Sequence, residues 1–256
     1  MSGLLNTKTF IGRGQIQLTQ FRPQRLVADL FPDYPIGITE APANLTIDFK
    51  TEGPRQLQAE LNGSSPYLKL RCARDELDLE NIRIEAAFQV DKESVSLSLG
   101  KLALDRPQLT LSANLDLTQN TPPLSLKVEG SEIDVAAARE VALTFAGKNE
   151  DVKDIFDVVR GGRVPFITLT AQGNSLSDLA DTDAMVIRGQ MQDGEIYIPD
   201  IQFDLKEAAG DVVISRGILD GQNLKARLGN SSGQNGRLKL GLIGDVAPFH
   251  LETDVR

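Results

Sequence analysis

Tryptophan is absent, cysteine and histidine each occur once, and aromatic residues make up 5% of the 256 residues. One cysteine excludes an internal disulfide. Cys72 falls on the apolar phase of Leu68-Lys-Leu70-Arg-Cys72, where a buried small hydrophobe is expected rather than a reactive thiol. His250 has no second histidine and no cysteine near it in sequence, so a His-based triad or a His/Cys metal cluster would need groups this chain does not supply. So few aromatic rings argue against a stacking platform for bases or sugars. Positive charge is also short, with 27 Lys and Arg against 36 Asp and Glu for a formal charge of −9. Basic residues are scattered, which disfavours a phosphate backbone or an anionic membrane surface as partner; no nucleic acid is expected. That balance does not disfavour an apolar groove for lipid tails. No apolar run approaches the roughly 18 residues that cross a bilayer, and the N-terminus has no signal-peptide pattern.

What the chain has is aliphatic residues in alternation. Hydrophobic residues are 41% of the total, enough for a core in a chain of this length. From Asn44 to Val128 the period is two: Leu45, Ile47, Phe49; Leu57, Ala59, Leu61; Leu68, Leu70, Cys72; Leu77, Leu79; Ile82, Ile84, Ala86, Phe88, Val90; and onward through Val95 to Val128. Alternation gives each strand one apolar and one polar face. Breaks at Gly63, Asp91-Lys92, Asp105-Arg-Pro107 and Pro122-Pro123 suit antiparallel connections. A parallel sheet covered by helices would read as continuous apolar runs with helices between strands. The expected fold is therefore mainly β, a long curved antiparallel sheet of meander and hairpin repeats, groove-like or rolled, with one inserted pair of amphipathic helices. Periodicity leaves open whether the apolar face meets a second sheet, itself or a ligand.

The helical pair is expected over 131–163. Ser131 is placed as N-cap ahead of Ile133, Ala136, Ala137 and Val141. Asn149 or a neighbour then caps a second helix with Val152, Ile155, Phe156 and Val159 on one face, Arg160 in its last turn and Gly161-Gly162 as its stop. Before the sheet, Pro23, Pro32 and Pro35 mark loop, with a helical turn over Leu26 to Phe31. After the helices, Asp193-Gly194 and Asp220-Gly221 recur between alternating segments, the short-range signature of β-hairpin turns. Asn230 to Gly236 reads as a polar hairpin loop; it lacks the ending of a P-loop and opens no helix. Three segments result: a β segment over 1–130, the helical insertion over 131–163 and a hairpin-repeat segment over 164–256, expected as one continuous structural unit.

No constellation points to catalysis. Asp75 to Glu80 is the densest acidic cluster and reads as a solvated strand edge or turn. Ser231 and Ser232 lack the Gly-x-Ser-x-Gly context of a nucleophile elbow. A carbohydrate-acting β enzyme would need a carboxylate-lined cleft and usually aromatic platforms. No cofactor or metal is expected.

The segment Gly210-Asp-Val-Val-Ile-Ser-Arg-Gly-Ile-Leu-Asp-Gly-Gln-Asn-Leu-Lys-Ala-Arg-Leu-Gly-Asn-Ser-Ser-Gly-Gln-Asn-Gly-Arg-Leu-Lys-Leu-Gly-Leu242 resembles the carboxy-terminal part of the AsmA-like proteins of Gram-negative bacterial envelopes, most clearly over residues 164–256. That family is related to bridge-like lipid transfer proteins. The resemblance implies a periplasmic section tethered to the inner membrane through an anchor outside this chain, and an apolar β groove that shields lipid acyl chains for envelope lipid transport or outer-membrane assembly. It implies a phospholipid or other envelope lipid as partner, envelope proteins as further partners, and no enzymatic step. The terminal Phe249 to Arg256 reads as an unfinished strand, so a piece of a longer protein is expected. The candidate groove face is Leu97, Leu99, Leu109, Leu111, Leu115, Leu117, Ile167, Leu169, Leu224, Leu228, Leu238 and Leu240. The alternative is a structural or assembly module whose strands bury against one another in a closed core and which binds other proteins.

Overall fold

The structure, a computed structural model, describes residues 2–6, 8–24, 27, 29, 36–72, 75–146, 150–181, 183–242 and 249–255. It is mainly β, with fifteen strands and two α-helices among the described residues. The chain divides into two compact units, 1–128 with 172–176, and 129–171 with 177–256.

Unit one holds β1 (Ser2–Asn6), β2 (Ile11–Phe21), β3 (Ile36–Glu40), β4 (Ala43–Gly53), β5 (Gln56–Cys72), β6 (Asp75–Val90), β7 (Val95–Leu104), β8 (Leu109–Leu117) and the first part of β9 (Leu124–Asp134). The strands follow one another in the sheet in chain order, except that β3 pairs with the far half of β5. Each pairing with a described register is antiparallel. This is the meander that strict alternation and short connections produce. At the β6–β7 turn, Asp91 Oδ1 accepts from the backbone N–H of Glu93 (3.0 Å) and Ser94 (3.2 Å), an Asx turn that closes the hairpin. The break expected at Gly63 is not there. β5 runs straight through it, paired with Leu45 and Ile84, and a Cβ at Gly63 would stand 2.7 Å from each of those side chains. The glycine gives two aliphatic neighbours room to close over it.

Unit two begins with the end of β9, then α1 (Val135–Ala146) and α2 (Glu150–Val158), then β10 (Val159–Gly173), β11 (Met185–Ile198), β12 (Phe203–Ser215), β13 (Ile218–Leu228), β14 (Ser231–Gly241) and β15 (Phe249–Val255). From β10 to β15 each strand pairs antiparallel with the next. Its core is a cluster of Val158, Ile198, Leu219, Leu238, Leu240 and Leu242, with α2 contributing through Val158 and Ile155.

Several local expectations are corrected here. Ser131 lies in β9, and α1 is capped by Asp134, whose Oδ1 accepts from the Ala137 N–H at 3.0 Å. Asp134→Ala is expected to lower the stability of unit two by about 1 kcal/mol, read as a fall in the urea midpoint with unchanged slope. Val159, Arg160, Gly161 and Gly162 belong to β10, not to the end of α2; Arg160 stacks on Tyr197 with its guanidinium carbon 3.9 Å from the ring centre, a cation–π contact. Neither Asp-Gly pair is a turn. Asp193-Gly194 lies inside β11 and Asp220-Gly221 inside β13, and the reversals fall at Arg216-Gly217, with both φ values positive (51° and 67°), and at Gly229-Asn230. Ser231 to Gly236 is strand, not loop. Of the turn expected over Leu26 to Phe31 only Val27 and Asp29 are described, both helical; the Asn149 cap and the side chain of Cys72 lie outside the described residues.

Candidate functional site: two aliphatic surfaces

In unit one, strand register carries the apolar phase of each strand into line with that of its neighbours. Ile16, Ile47, Leu61, Ala86, Leu99 and Ala113 form one row across β2, β4, β5, β6, β7 and β8. Leu18, Leu45, Gly63, Ile84, Leu102 and Leu111 form the next. A third runs through Phe49, Ala59, Phe88, Leu97 and Leu115. With strands about 4.8 Å apart, six of them make a face roughly 25 Å wide. The residues on these rows are half-buried, and Leu97 and Leu117 are 47% and 43% exposed. A sandwich core would bury such residues almost completely. Further along the same strands Ile82 and Leu104 are buried, at 9% exposure each.

The opposite face is polar and of mixed sign. Lys50 pairs with Glu52, Arg83 with Asp105 at 3.3 Å and Arg71 with Glu76 at 2.8 Å. These exposed pairs contribute little stability; they keep one side of the sheet wet. At the sheet margin Glu40 accepts from the Tyr67 hydroxyl at 2.6 Å and from Lys69 at 3.3 Å. The Tyr67 hydrogen bond first, and Lys69 second, hold the Glu40 carboxyl below its ordinary range.

In unit two the apolar phase is partly roofed. Between the helices and the sheet lies a cavity of about 390 Å³, at the lower end of the roughly 300–1,000 Å³ typical of small-molecule sites. Val135 and Ala138 of α1 and Ile155 and Phe156 of α2 form one wall; residues of β10 to β14 form the other. Arg139 ties the two helices together, its Nε donating to the Phe156 carbonyl at 3.0 Å. The cavity lining is apolar except for Gln190 and Lys225, both exposed.

A band of bulges shapes this wall. Asp193 in β11, Glu207 in β12, Asn223 in β13 and Asn235 in β14 all have positive φ, from 50° to 55°, and each sits at a register shift. A bulge bends its strand and increases local twist, and four in adjacent strands bend this part of the sheet along one line. Outside the cavity the band is braced by polar contacts: Asn223 donates to Asp211 at 3.0 Å, Asn235 to Asp254 at 3.1 Å, and Arg227 pairs with Glu207 at 2.9 Å.

Of the residues singled out in the sequence, Leu97, Leu99, Leu109, Leu111, Leu115 and Leu117 lie together on β7 and β8, with Leu97 opposite Leu115. Ile167, Leu224, Leu238 and Leu240 line the cavity of unit two, whereas Leu169 and Leu228 do not. Sequence reasoning missed Met191, Gly210, Ile155 and Phe156 as cavity residues. The helical ones carried a signal, the apolar stripe of α2; Gly210 carried none beyond its identity. Of the acidic residues singled out in β6, Glu76 pairs with Arg71 and Glu80 with Arg106 at 3.4 Å. His250 is exposed on β15 beside Glu252, 3.0 Å away. Among the described residues no group of acidic, His and Cys side chains is placed to hold a metal ion, and no helix is long and apolar enough to cross a membrane. Compared with protein-family models, with curated proteins and with solved structures, the chain matches none.

Proposed function

We propose that the protein shields lipid acyl chains on an apolar β surface, as a non-enzymatic periplasmic section of an AsmA-like protein that moves or assembles envelope lipid. The observation that carries this is the aliphatic face of unit one, on which register aligns half-buried leucines and isoleucines across six strands. A contiguous apolar surface of that size is rare on a protein with nothing to cover it. Hydrocarbon tails resting there gain about 0.8 kcal/mol per methylene withdrawn from water, while head groups stay with the solvent at the margin. The mechanism is passive: no residue forms or breaks a bond, and the surface only lowers the cost of a lipid being out of its bilayer. The resemblance of 164–256 to the AsmA-like proteins supports the compartment and the class of cargo, with the inner-membrane tether and envelope protein partners supplied from outside this chain.

The test is native mass spectrometry and lipid extraction of the purified chain. Phospholipid is expected to co-purify with the wild type and to fall about tenfold or more in Leu111→Asp or Leu115→Asp, with the far-ultraviolet circular dichroism unchanged. A wild-type protein that is free of lipid and takes none from phospholipid vesicles overturns the proposal and favours an assembly module that binds other proteins.

A further inference from the structure

At one end of the sheet, in unit two, β15 is hydrogen-bonded to β14 alone among the described strands. Its other edge presents a row of backbone N–H and C=O groups to solvent, a template for a further strand. Such edges are usually defended by proline, by lysine or by a bulge. Phe249 to Val255 contains no proline and no lysine, and the irregularity between β14 and β15 is an extra residue on β14, within 234–237, opposite an unbroken 252–254 of β15. The seven residues of β15 therefore keep strict alternation.

Two phases result. Phe249 and Leu251 stand opposite Leu240 and Leu238 of the core, and Val255 shares their phase. Phe249 is 43% and Val255 65% exposed, so the apolar side of unit two reaches this edge unfinished. On the other phase His250, Glu252 and Asp254 are all exposed, facing Lys239, Arg237 and Gln234 of β14.

Turned about a two-fold axis at Glu252 and laid antiparallel against a second copy, this strand is self-complementary. Phe249 then faces Val255 of the second copy, His250 faces Asp254 and Leu251 faces Thr253, and each pair occurs twice. Apolar side chains meet on one side of the joined sheet, and an imidazole meets a carboxylate on the other. The one like-charge pair is Glu252 with itself; each Glu252 has its own His250 at 3.0 Å and Arg237 across from it on β14. Sliding the register by two residues in either direction pairs five of the seven residues and breaks the contact of Phe249 with Val255.

We propose that β15 is the interface of a two-fold symmetric dimer of this chain, which joins two sheets edge to edge through Phe249–Val255. The proposal does not rest on the lipid reading above. A contact of one patch with itself closes at two copies. A two-stranded seam about 24 Å long is small against the roughly 1,200–2,000 Å² of a standard interface, so dissociation is expected in the micromolar range.

Sedimentation velocity of the full chain across the micromolar range is expected to show a monomer–dimer equilibrium. Val255→Asp, at a side chain already 65% exposed, places a carboxylate opposite Phe249 twice per dimer and weakens it about tenfold or more, with the far-ultraviolet circular dichroism unchanged. In a Cys72→Ser background, Glu252→Cys faces its own copy and is joined into a covalent dimer by a short bis-maleimide. Glu93→Cys, on the exposed turn between β6 and β7, stays monomeric under the same treatment. A folded wild type that stays monomeric throughout, a dimer that Val255→Asp leaves equally strong, or cross-linking no faster in Glu252→Cys than in Glu93→Cys overturns the proposal. So does a ladder of species larger than dimers, the mark of β15 pairing with a different strand of the next copy, an arrangement that does not close. Should Val255→Asp fail to fold, the cross-linking comparison decides. Co-purification of lipid tests the acyl-shielding proposal separately, and neither result bears on the other.

Discussion

Ile198→Ala is expected to destabilise unit two by about 2–5 kcal/mol and to lower its melting temperature by on the order of 10 °C. Ile198 is 1% exposed, at the end of β11, where it joins Val158 of α2 to Leu219, Leu238, Leu240 and Leu242. Truncation removes its methyl and methylene groups from an apolar environment and leaves a cavity ringed by strands that cannot close over it, because their spacing is set by hydrogen bonds. The same truncation at Leu97, 47% exposed on the face of unit one, is expected to cost less than about 1 kcal/mol, since most of that side chain meets solvent already. Thermal melts followed by circular dichroism compare the two directly. Equal losses would show that unit one buries its aliphatic face as deeply as unit two buries its core.

Gly162→Ala is expected to cost about 3 kcal/mol or more. Gly162 has φ of 119°, a conformation L side chains rarely adopt, and a Cβ there would stand 2.6 Å from the Gly194 Cα and 3.1 Å from the carbonyl oxygens of Gln192 and Asp193. All three contacts are backbone, so no rotamer change relieves them, and the bulged junction of β10 and β11 has to open. The contrast is Gly221→Ala, where the nearest atoms to an added Cβ belong to the Leu224 side chain, and which is expected to leave stability within about 1 kcal/mol. Hydrogen exchange of the β10 and β11 amides reports the difference locally: they lose protection in Gly162→Ala and keep it in Gly221→Ala.

Alternation was readable from residue order because it depends only on each residue's affinity for water and on the two-residue period of a strand. It was enough for the antiparallel meander, for the alternation of the strands between Asn44 and Val128 and for the leucines of β7 and β8 lying together. Slips in phase were readable too, though they stand for something other than strand ends. The apolar phase jumps from Leu77 and Leu79 to Ile82 and Ile84, and the structure has one strand there, β6, with Asn81 at φ 53° at the change of phase and the pairing with β5 unshifted across it. The jump from Leu99 to Leu102 likewise falls within β7, at a register shift. A one-residue slip of phase marks a bulge as readily as a turn, because an inserted residue and a reversal both reset which face comes next.

Asp-Gly shows where local chemistry stops. An Asp followed by a Gly makes positive φ cheap, which a two-residue hairpin and a strand bulge require alike. Residue order states that the backbone at 193–194 and 220–221 can turn left-handed; it does not state whether the chain reverses. That depends on partners far along the chain, Gly162 of β10 facing the bulge at Asp193 and Gly194, and Leu238 of β14 pairing with Gly221. The reversal at Arg216-Gly217 was settled in the same way, by the pairing of Ser215 with Ile218 and of the strands beyond them.

Hydrophobicity and its period thus dictate strands with one oily side, wherever in space those strands end up. What covers that side is a property of packing: helices close over it in unit two and leave a cavity, while in unit one its rows stay half-buried. Sequence periodicity carries no term for the distance to a facing element, and that distance decides whether an aliphatic row is a core or a surface.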